Sequence, residues 1–243
     1  MSCDNMNPVK GDLILPSGVS ALDRVLNGGL SSGLFIHFYG EAAAGKTTAA
    51  LQFASAACRI GVRTIYVNSE SSSPVERLEQ ISGKDFSQLK DKLMIISPKD
   101  FEEQSALIDD LELYAHHDTR LVVIDTLTRL YRSVLDDRKT NYLNHRELNR
   151  QAGLLKGLAR EKDMAVLVLN QVKGSMDKSE GFEPVAGNIL DYWSDYILKM
   201  RIGKETGERV LKRLRPENEP SMCRLFLTDR GLALNPDQKE TKR

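Results

Sequence analysis

The stretch GEAAAGKT, residues 40–47, constrains this chain more than any other feature. It follows the apolar run LFIHFY and precedes a long run of small and aliphatic residues, so it is expected to join a strand to a helix. Gly40, Gly45, Lys46 and Thr47 satisfy the pattern G-x-x-x-x-G-K-[ST], whose glycines let backbone N–H groups curl around a phosphate. An ordinary small-residue turn is the alternative, but the flanking strand and helix favour a phosphate-binding loop, which we call the P-loop.

Residue types in the P-loop suit a nucleotide bound with Mg²⁺. The helix that follows presents its positive N-terminus to the phosphates, and Lys46 adds a mobile cation. The hydroxyl of Thr47 is predicted to bind Mg²⁺. The residues predicted to hold the nucleotide are Gly40, Glu41, Ala42, Ala43, Ala44, Gly45, Lys46, Thr47 and Thr48.

Polar side chains follow three other apolar runs. Asp125 ends LVVID, and a carboxylate there is predicted to hold Mg²⁺ through water. Glu70 follows TIYVN, where it could polarise a water for attack on the γ-phosphate, and Gln171 follows AVLVLN, where its amide could sense that phosphate. Plainer alternatives are a helix cap for Asp125, a surface glutamate for Glu70 and a partner of local backbone groups for Gln171.

Short, nearly continuous apolar runs alternate with helical patterns, which is typical of a parallel α/β sheet. The strand runs are LFIHFY, TIYV, LMIIS, LVVID and AVLVLN, and helices are predicted over 46–59, 74–81, 101–115 and 144–162. From Ile197 onward ILKMRI, RVLKRLR and CRLFLT predict an antiparallel extension of the sheet. The predicted organisation is an amino-terminal arm over 1–17, one core over 18–234 and a flexible tail over 235–243.

Charge and cysteine content narrow the class of protein. Lys plus Arg equals Asp plus Glu at 34 each, so contact with nucleic acid depends on local patches and not on overall charge. Cys3, Cys58 and Cys223 are scattered and odd in number, which argues against a zinc site or a disulfide framework. No apolar run approaches the ~18 residues of a membrane span, so a cytoplasmic protein is expected.

Longer segments around these motifs resemble the core of the RecA/RadA recombinase superfamily, from Gly18 to Leu232. Among them are GVSALDRVLNGGLSSGLFIHFYGEAAAGKTTAALQFA, LVVIDTLTRLYR, LNRQAGLLKGLAREKDMAVLVLNQV and PVAGNILDYWSDYILKM. Stretches such as HRELNRQ and LRPENEPSMCRLFLTDRGL make the resemblance strongest to the archaeal RadB branch, which has the ATPase core without the helix-hairpin-helix domain. The resemblance implies a RecA-like P-loop ATPase core that binds ATP, Mg²⁺ and DNA and acts in recombination and repair.

The resemblance also implies roles for single residues. Glu70 would prime the attacking water, and Gln171 would couple the γ-phosphate to DNA, so that the catalytic set is Lys46, Glu70, Asp125 and Gln171. Arg77 would stack its guanidinium on the adenine, with an arginine on a helix surface as the alternative.

Two loops bind the DNA backbone in such recombinases, and by resemblance they fall on residues 131–146 and 172–187. The predicted phosphate contacts are Arg132, Arg138, Lys139, Arg146, Lys173 and Lys178. Tyr131 is the aromatic residue predicted to stack on a base. Both loops also contain acidic residues, so solvated mobile loops are the alternative.

Departures from the family pattern bear on assembly. Family members polymerise through a Phe-x-x-Ala segment ahead of the core, and residues 1–17 contain none. The FASA at 53–56 lies on the helix after the P-loop, where its spacing predicts core packing. Long self-filaments are therefore not expected, and ATP hydrolysis should be slow, because ATP in such filaments lies between subunits. Arg213 or Arg215 could still act on a neighbour's nucleotide.

Three functions are compatible with these features. The first is an ATP- and DNA-binding accessory protein of homologous recombination that prefers single-stranded DNA, hydrolyses ATP weakly and assists or regulates the main RadA-type recombinase. The second is a KaiC-like signalling ATPase that acts on protein partners. The third is a pure interaction protein in which nucleotide has only a structural role.

Overall fold

The structure, a computed structural model, describes residues 13–136, 138–173, 182–217 and 220–236. The strands are, in chain order, β1 Ile14–Leu15, β2 Leu30–Ser31, β3 Phe35–Gly40, β4 Arg63–Asn68, β5 Leu93–Ile96, β6 Thr119–Asp125, β7 Ala165–Asn170, β8 Val172–Lys173, β9 Glu183–Pro184, β10 Tyr196–Ile202, β11 Glu208–Arg215, β12 Met222–Thr228 and β13 Gly231–Ala233. The α-helices are α1 Ser20–Val25, α2 Lys46–Arg59, α3 Val75–Ser82, α4 Phe101–Asp109, α5 Leu111–Tyr114, α6 Leu127–Ser133, α7 Arg138–Glu161 and α8 Gly187–Trp193.

A nine-stranded sheet carries the site. Its order is β13-β12-β11-β10-β3-β7-β6-β4-β5. The pairs from β10 to β5 are parallel, whereas β10-β11, β11-β12 and β12-β13 are antiparallel. The predicted parallel α/β sheet with an antiparallel carboxyl-terminal extension is therefore confirmed.

The continuous apolar runs are explained by burial on both faces of the sheet. Along β6, Leu121 and Val123 face one apolar cluster, which contains α2 residues such as Phe53. Val122 and Ile124 face the opposite cluster, which contains residues of α4, α6 and α7. Phe53 of FASA is 1% exposed, so its predicted place in the core is confirmed.

Helix predictions were accurate where caps mark the ends. The helix predicted over 46–59 is confirmed as α2, and Pro74 caps α3, which ends before Gly83 in a left-handed conformation. The single helix predicted over 101–115 is wrong, because α4 ends at Asp109 and the chain restarts as α5.

The helix predicted over 144–162 is confirmed within α7, which ends at Glu161, but its predicted start and the loop predicted over 131–146 are wrong. The helix α7 starts at Arg138, and α6 covers residues up to Ser133, so most of the segment is helical. No glycine or proline occurs between residues 138 and 152 to stop a helix.

Residues at the amino-terminal end of the described chain pack on the core. Strand β1 pairs with β2 in antiparallel fashion, and Leu15 is fully buried. Across the four described stretches, no helix combines the length and hydrophobicity that a membrane span needs.

Candidate nucleotide-binding site

The P-loop joins the end of β3 to the start of α2, as the sequence predicts. Gly45 has φ of 98° and Ala43 has φ of 58°, so the loop turns through left-handed conformations. A Cβ added to Gly40 would lie 2.2 Å from the carbonyl oxygen of Met200 on β10. Glycine at position 40 therefore allows the close approach of β10 to the loop.

Lys46 lies across the P-loop. Its Nζ donates to the carbonyl oxygens of Gly40 at 2.9 Å and Glu41 at 2.7 Å. Burial lowers the pKa of the Lys46 ammonium, and the carboxylates of Asp125, Glu70 and Glu41 act in the opposite direction. The structure thus brings Lys46 near the two carboxylates that the sequence singles out.

Asp125 ends β6 at the same edge of the sheet and is 1% exposed. Its Oδ2 accepts a hydrogen bond of 2.6 Å from the hydroxyl of Tyr66 on β4, whereas its Oδ1 has no partner among the described residues. Burial raises the pKa of Asp125, and the hydroxyls of Tyr66 and Thr47 lower it. Desolvation and the neighbouring carboxylate raise the pKa of Tyr66 well above its ordinary value.

These groups fit a magnesium ion. Mg²⁺ prefers hard oxygen ligands and keeps several of its waters. The unpaired Oδ1 of Asp125 is a buried acceptor that a metal-bound water can satisfy, and the hydroxyl of Thr47 lies near the same carboxyl. Asp125 and Thr47 are therefore the residues that could hold the metal.

Glu70 and Gln171 meet across the ends of β4 and β7. The amide nitrogen of Gln171 donates to Glu70 Oε1 at 3.0 Å, and the hydroxyl of Thr126 donates to the same oxygen at 3.3 Å. On the other side, Arg129 Nε lies 3.5 Å from Glu70 Oε2. Arg132 Nη1 donates to the Gln171 side-chain oxygen at 3.2 Å. The two predicted residues thus belong to one polar cluster with two arginines of α6.

Asn170, next to Gln171, has a different role. Its side-chain nitrogen donates to the carbonyl oxygen of Val185 at 2.7 Å and lies 3.2 Å from His37 Nε2. The other ring nitrogen of His37 is 2.7 Å from an oxygen of Asp191. Asn170 therefore connects the end of β7 to His37 on β3 and to Val185. Gln171, and not Asn170, contacts Glu70.

Arg77 lies on α3 and bridges to the turn between β12 and β13. It donates to the carbonyl oxygens of Thr228 at 2.7 Å and Asp229 at 2.6 Å, and to the Gln80 side chain at 2.9 Å. Stacking of Arg77 on an adenine stays a prediction.

The predicted DNA contacts are only partly placed. Arg132 lies on α6 and is bonded to Gln171, and Arg146 lies on α7 with its guanidinium 5.8 Å from the centre of the Tyr142 ring. The side chains of Arg138, Lys139 and Lys173, and the whole of Lys178, lie outside the described residues.

The prediction that Tyr131 stacks on a base is wrong. Its side chain is 1% exposed, its ring packs against Phe101, and its hydroxyl lies 3.1 Å from ring nitrogens of His145. Helix α6 directs it into the core between α4 and α7, where the sequence alone suggested an open loop.

Of the two carboxyl-terminal arginines, Arg213 cannot reach a neighbour's nucleotide. It is 1% exposed, and its guanidinium donates to the carbonyl oxygens of Val25 and Pro220 in the same chain. Arg215 ends β11, is exposed and donates to the carbonyl oxygen of Asp191 at 2.6 Å.

Tyr66, Thr126 and Arg129 are the contributors that the sequence did not single out. From the sequence alone, Tyr66 is predicted to be one more apolar residue of a buried strand. Arg129 is predicted to be a solvent-exposed helix residue, 59 positions after Glu70. Their part in the site follows only from the order of strands in the sheet.

Comparison with known proteins shows the family to which the chain is similar. The Rad51 family model matches residues 10–233. The chain is 33% identical over 220 residues to the DNA repair and recombination protein RadB of Methanobrevibacter smithii, which covers 88% of this chain and 93% of that protein. It is 32% identical over 231 residues to RadB of Methanococcoides burtonii, covering 93% and 100%. A crystal structure of the RadB recombinase matches with a TM-score of 0.75 and 30% identity, over 90% of this chain and 99% of that one.

Proposed function

This chain belongs to the Rad51 family, in its RadB branch, and on that premise we propose that it is an accessory protein of homologous recombination that binds ATP·Mg²⁺ and prefers single-stranded DNA. It acts in DNA repair and recombination and binds nucleotide and DNA. The proposal adds weak ATP hydrolysis and a RadA-type recombinase as the partner that it assists or regulates.

The observation that carries the proposal is the convergence of Lys46, Asp125, Glu70 and Gln171 at the carboxyl ends of adjacent parallel strands. In such sheets ligands bind outside the carboxyl ends of the strands. We assign Lys46 and the P-loop backbone to the phosphates, and Thr47 and Asp125 to the metal. Bound Mg²⁺ would supply neutralisation of the charge that develops on the phosphates.

Glu70 and Gln171 give this site its proposed chemistry and its proposed link to DNA. We assign to Glu70 the role of taking a proton from the attacking water. Gln171 contacts Glu70 on one side and Arg132, a predicted DNA contact, on the other. A change at the γ-phosphate can therefore be passed to the DNA-binding side through two hydrogen bonds, so nucleotide would work mainly as a switch.

The test is fluorescence anisotropy of a labelled single-stranded oligonucleotide titrated with the protein, without nucleotide and with ATP·Mg²⁺, across several salt concentrations. We expect saturable, salt-sensitive binding whose affinity changes with ATP. The same titration with Lys46→Ala should show DNA binding that no longer responds to ATP. A Lys46→Ala protein that keeps the full response would contradict the switch.

DNA binding that responds to ATP would also argue against the signalling ATPase. That protein would bind no DNA even at low salt, and a protein partner would change its ATP turnover. A duplex of the same length measured alongside tests the preference for single strands.

A further inference from the structure

Arg129 makes two contacts with the segment that contains Glu70. Its Nε lies 3.5 Å from Glu70 Oε2, and its Nη1 donates to the backbone carbonyl of Ser69. Both side chains are partly exposed, 37% for Arg129 and 28% for Glu70. The guanidinium is therefore held beside the carboxylate by a backbone contact as well as by charge.

The other carboxylate oxygen of Glu70 is also engaged. Glu70 Oε1 accepts from Gln171 and from Thr126. A general base needs a lone pair directed at the attacking water. Because Arg129 contacts one carboxylate oxygen of Glu70, and Gln171 and Thr126 contact the other, a water must compete with these groups for a lone pair. The same contacts that orient Glu70 therefore restrain its access to the attacking water.

We propose that Arg129 restrains Glu70 and thereby keeps ATP turnover low while nucleotide binding is unaffected. The inference rests on the proposed ATPase function. In the restrained step, the water oxygen bonds to the γ-phosphorus, the bond from that phosphorus to the β,γ-bridging oxygen breaks to leave ADP, and the water proton passes to Glu70. Arg129 is a positioning residue, because it acts on this step only through Glu70.

The geometry also indicates what removes the restraint. Arg129 and Arg132 are three residues apart on α6 and therefore lie on the same face of that helix. The first contacts Glu70 and the second contacts Gln171. Phosphodiester groups bind guanidinium strongly, so a DNA backbone on this face competes for both arginines. Binding of DNA to α6 would free the catalytic pair.

The experiment compares steady-state ATP turnover and equilibrium binding of a fluorescent ATP analogue in the wild-type chain, Arg129→Ala and Arg129→Gln. The glutamine variant keeps a polar N–H donor at this position and is therefore the milder of the two changes. We expect kcat without DNA to rise about twofold to fivefold, which corresponds to the free energy of a partly exposed ion pair, with KM and analogue affinity unchanged. Arg129→Lys, which keeps the charge, should stay near the wild-type kcat.

Two controls show whether the effect passes through Glu70. Arg150→Gln removes a guanidinium of similar exposure that pairs with Asp109 and Glu147, and it should leave kcat unchanged. Glu70→Gln combined with Arg129→Ala should abolish the gain. Oligothymidylate should stimulate the wild-type chain more than Arg129→Ala.

The outcomes separate this inference from the proposed function. If the wild-type chain binds no ATP analogue, the proposed function fails. If the analogue binds normally and neither Arg129→Ala nor Arg129→Gln raises kcat, the proposal that Arg129 restrains Glu70 is wrong. The proposed nucleotide-binding site is then unaffected.

Discussion

One hydroxyl group, that of Tyr66, sets which oxygen of Asp125 is available at the P-loop. It donates to Oδ2 at 2.6 Å, and Oδ1 has no partner among the residues that the structure describes. Tyr66 is fully buried, so this contact is shielded from competing water. A hydrogen bond to a charged group contributes about 1.5–3 kcal/mol, which is enough to hold a carboxylate in one orientation.

Tyr66→Phe removes this donor and leaves the shape of the core nearly unchanged. We expect the Mg²⁺ concentration needed for half-maximal binding of a fluorescent ATP analogue to rise about tenfold, because Asp125 loses its orientation. A fluorescence titration with Mg²⁺ at fixed analogue measures this. Tyr131→Phe is the matched control, since that buried hydroxyl contacts His145 and should leave the Mg²⁺ dependence as it is. An unchanged midpoint in Tyr66→Phe would refute the role.

At the scale of elements, α4 and α7 are joined by a cluster around Glu147. Its Oε1 accepts from the Ser105 hydroxyl at 2.5 Å and from Arg150 at 2.8 Å, and Arg150 also pairs with Asp109. The hydrogen bond from Arg150 is the main reason that the pKa of Glu147 falls to about 2 from its ordinary value of 4.5. The cluster therefore links the two helices that cover one face of the sheet.

The lowered pKa predicts a pH dependence of stability. Because the folded-state pKa of Glu147 lies below its unfolded value, its contribution is fully present above about pH 4.5 and is lost as pH falls toward 2. Glu147→Gln should lower Tm at pH 7 by about 1–3 °C, since the cluster is partly exposed. The difference from the wild-type chain should shrink as thermal melts are repeated down to pH 3.

Glu102→Gln on the exposed side of α4 serves as the control and should shift Tm little at any pH. A Tm difference for Glu147→Gln that stays constant from pH 7 to pH 3 would show that the carboxylate's charge is not what joins the helices.

At the scale of the whole molecule, the P-loop contacts the antiparallel part of the sheet as well as the parallel part. Glu41 Oε2 accepts from the backbone N–H of Ile202 at 3.3 Å, and Arg209 on β11 donates to the carbonyl oxygen of Ala43 at 3.1 Å. Arg209 is 9% exposed, so most of its side chain is shielded from water. The P-loop is therefore in contact both with β3, near the amino-terminal end of the chain, and with β10 and β11, near the carboxyl-terminal end.

Nucleotide binding should stabilise the molecule as one unit. ATP·Mg²⁺ at about 100 times its Kd stabilises the folded state by about 2.7 kcal/mol, which for a domain of this size raises Tm by about 5–10 °C. Differential scanning fluorimetry measures the shift. Lys46→Ala should lose most of it and keep nearly the same Tm without nucleotide. An equal shift in both proteins would mean that ATP binds elsewhere.

The sequence by itself determined the class of fold and indicated the main part of the candidate nucleotide site. Short apolar runs that alternate with helical patterns are typical of an enclosed parallel sheet, and the glycine pattern of the P-loop favours a phosphate-binding turn before α2. Asp125, Glu70 and Gln171 could be singled out because each follows such a run. Local signals also predicted α2 and α3 well.

Only the tertiary structure decided which side chains complete the site. Tyr66 contacts Asp125 and Arg129 contacts Glu70 across 59 positions of sequence each, because β4 and β6 are neighbours in the sheet. The burial of Tyr131 and Arg213 could not be predicted for the same reason, since it depends on packing partners that are distant in the chain. Local sequence patterns predict the conformation and the buried face of a single helix or strand. Contacts between elements depend on the order of strands in the sheet, which cannot be predicted from a short stretch of sequence.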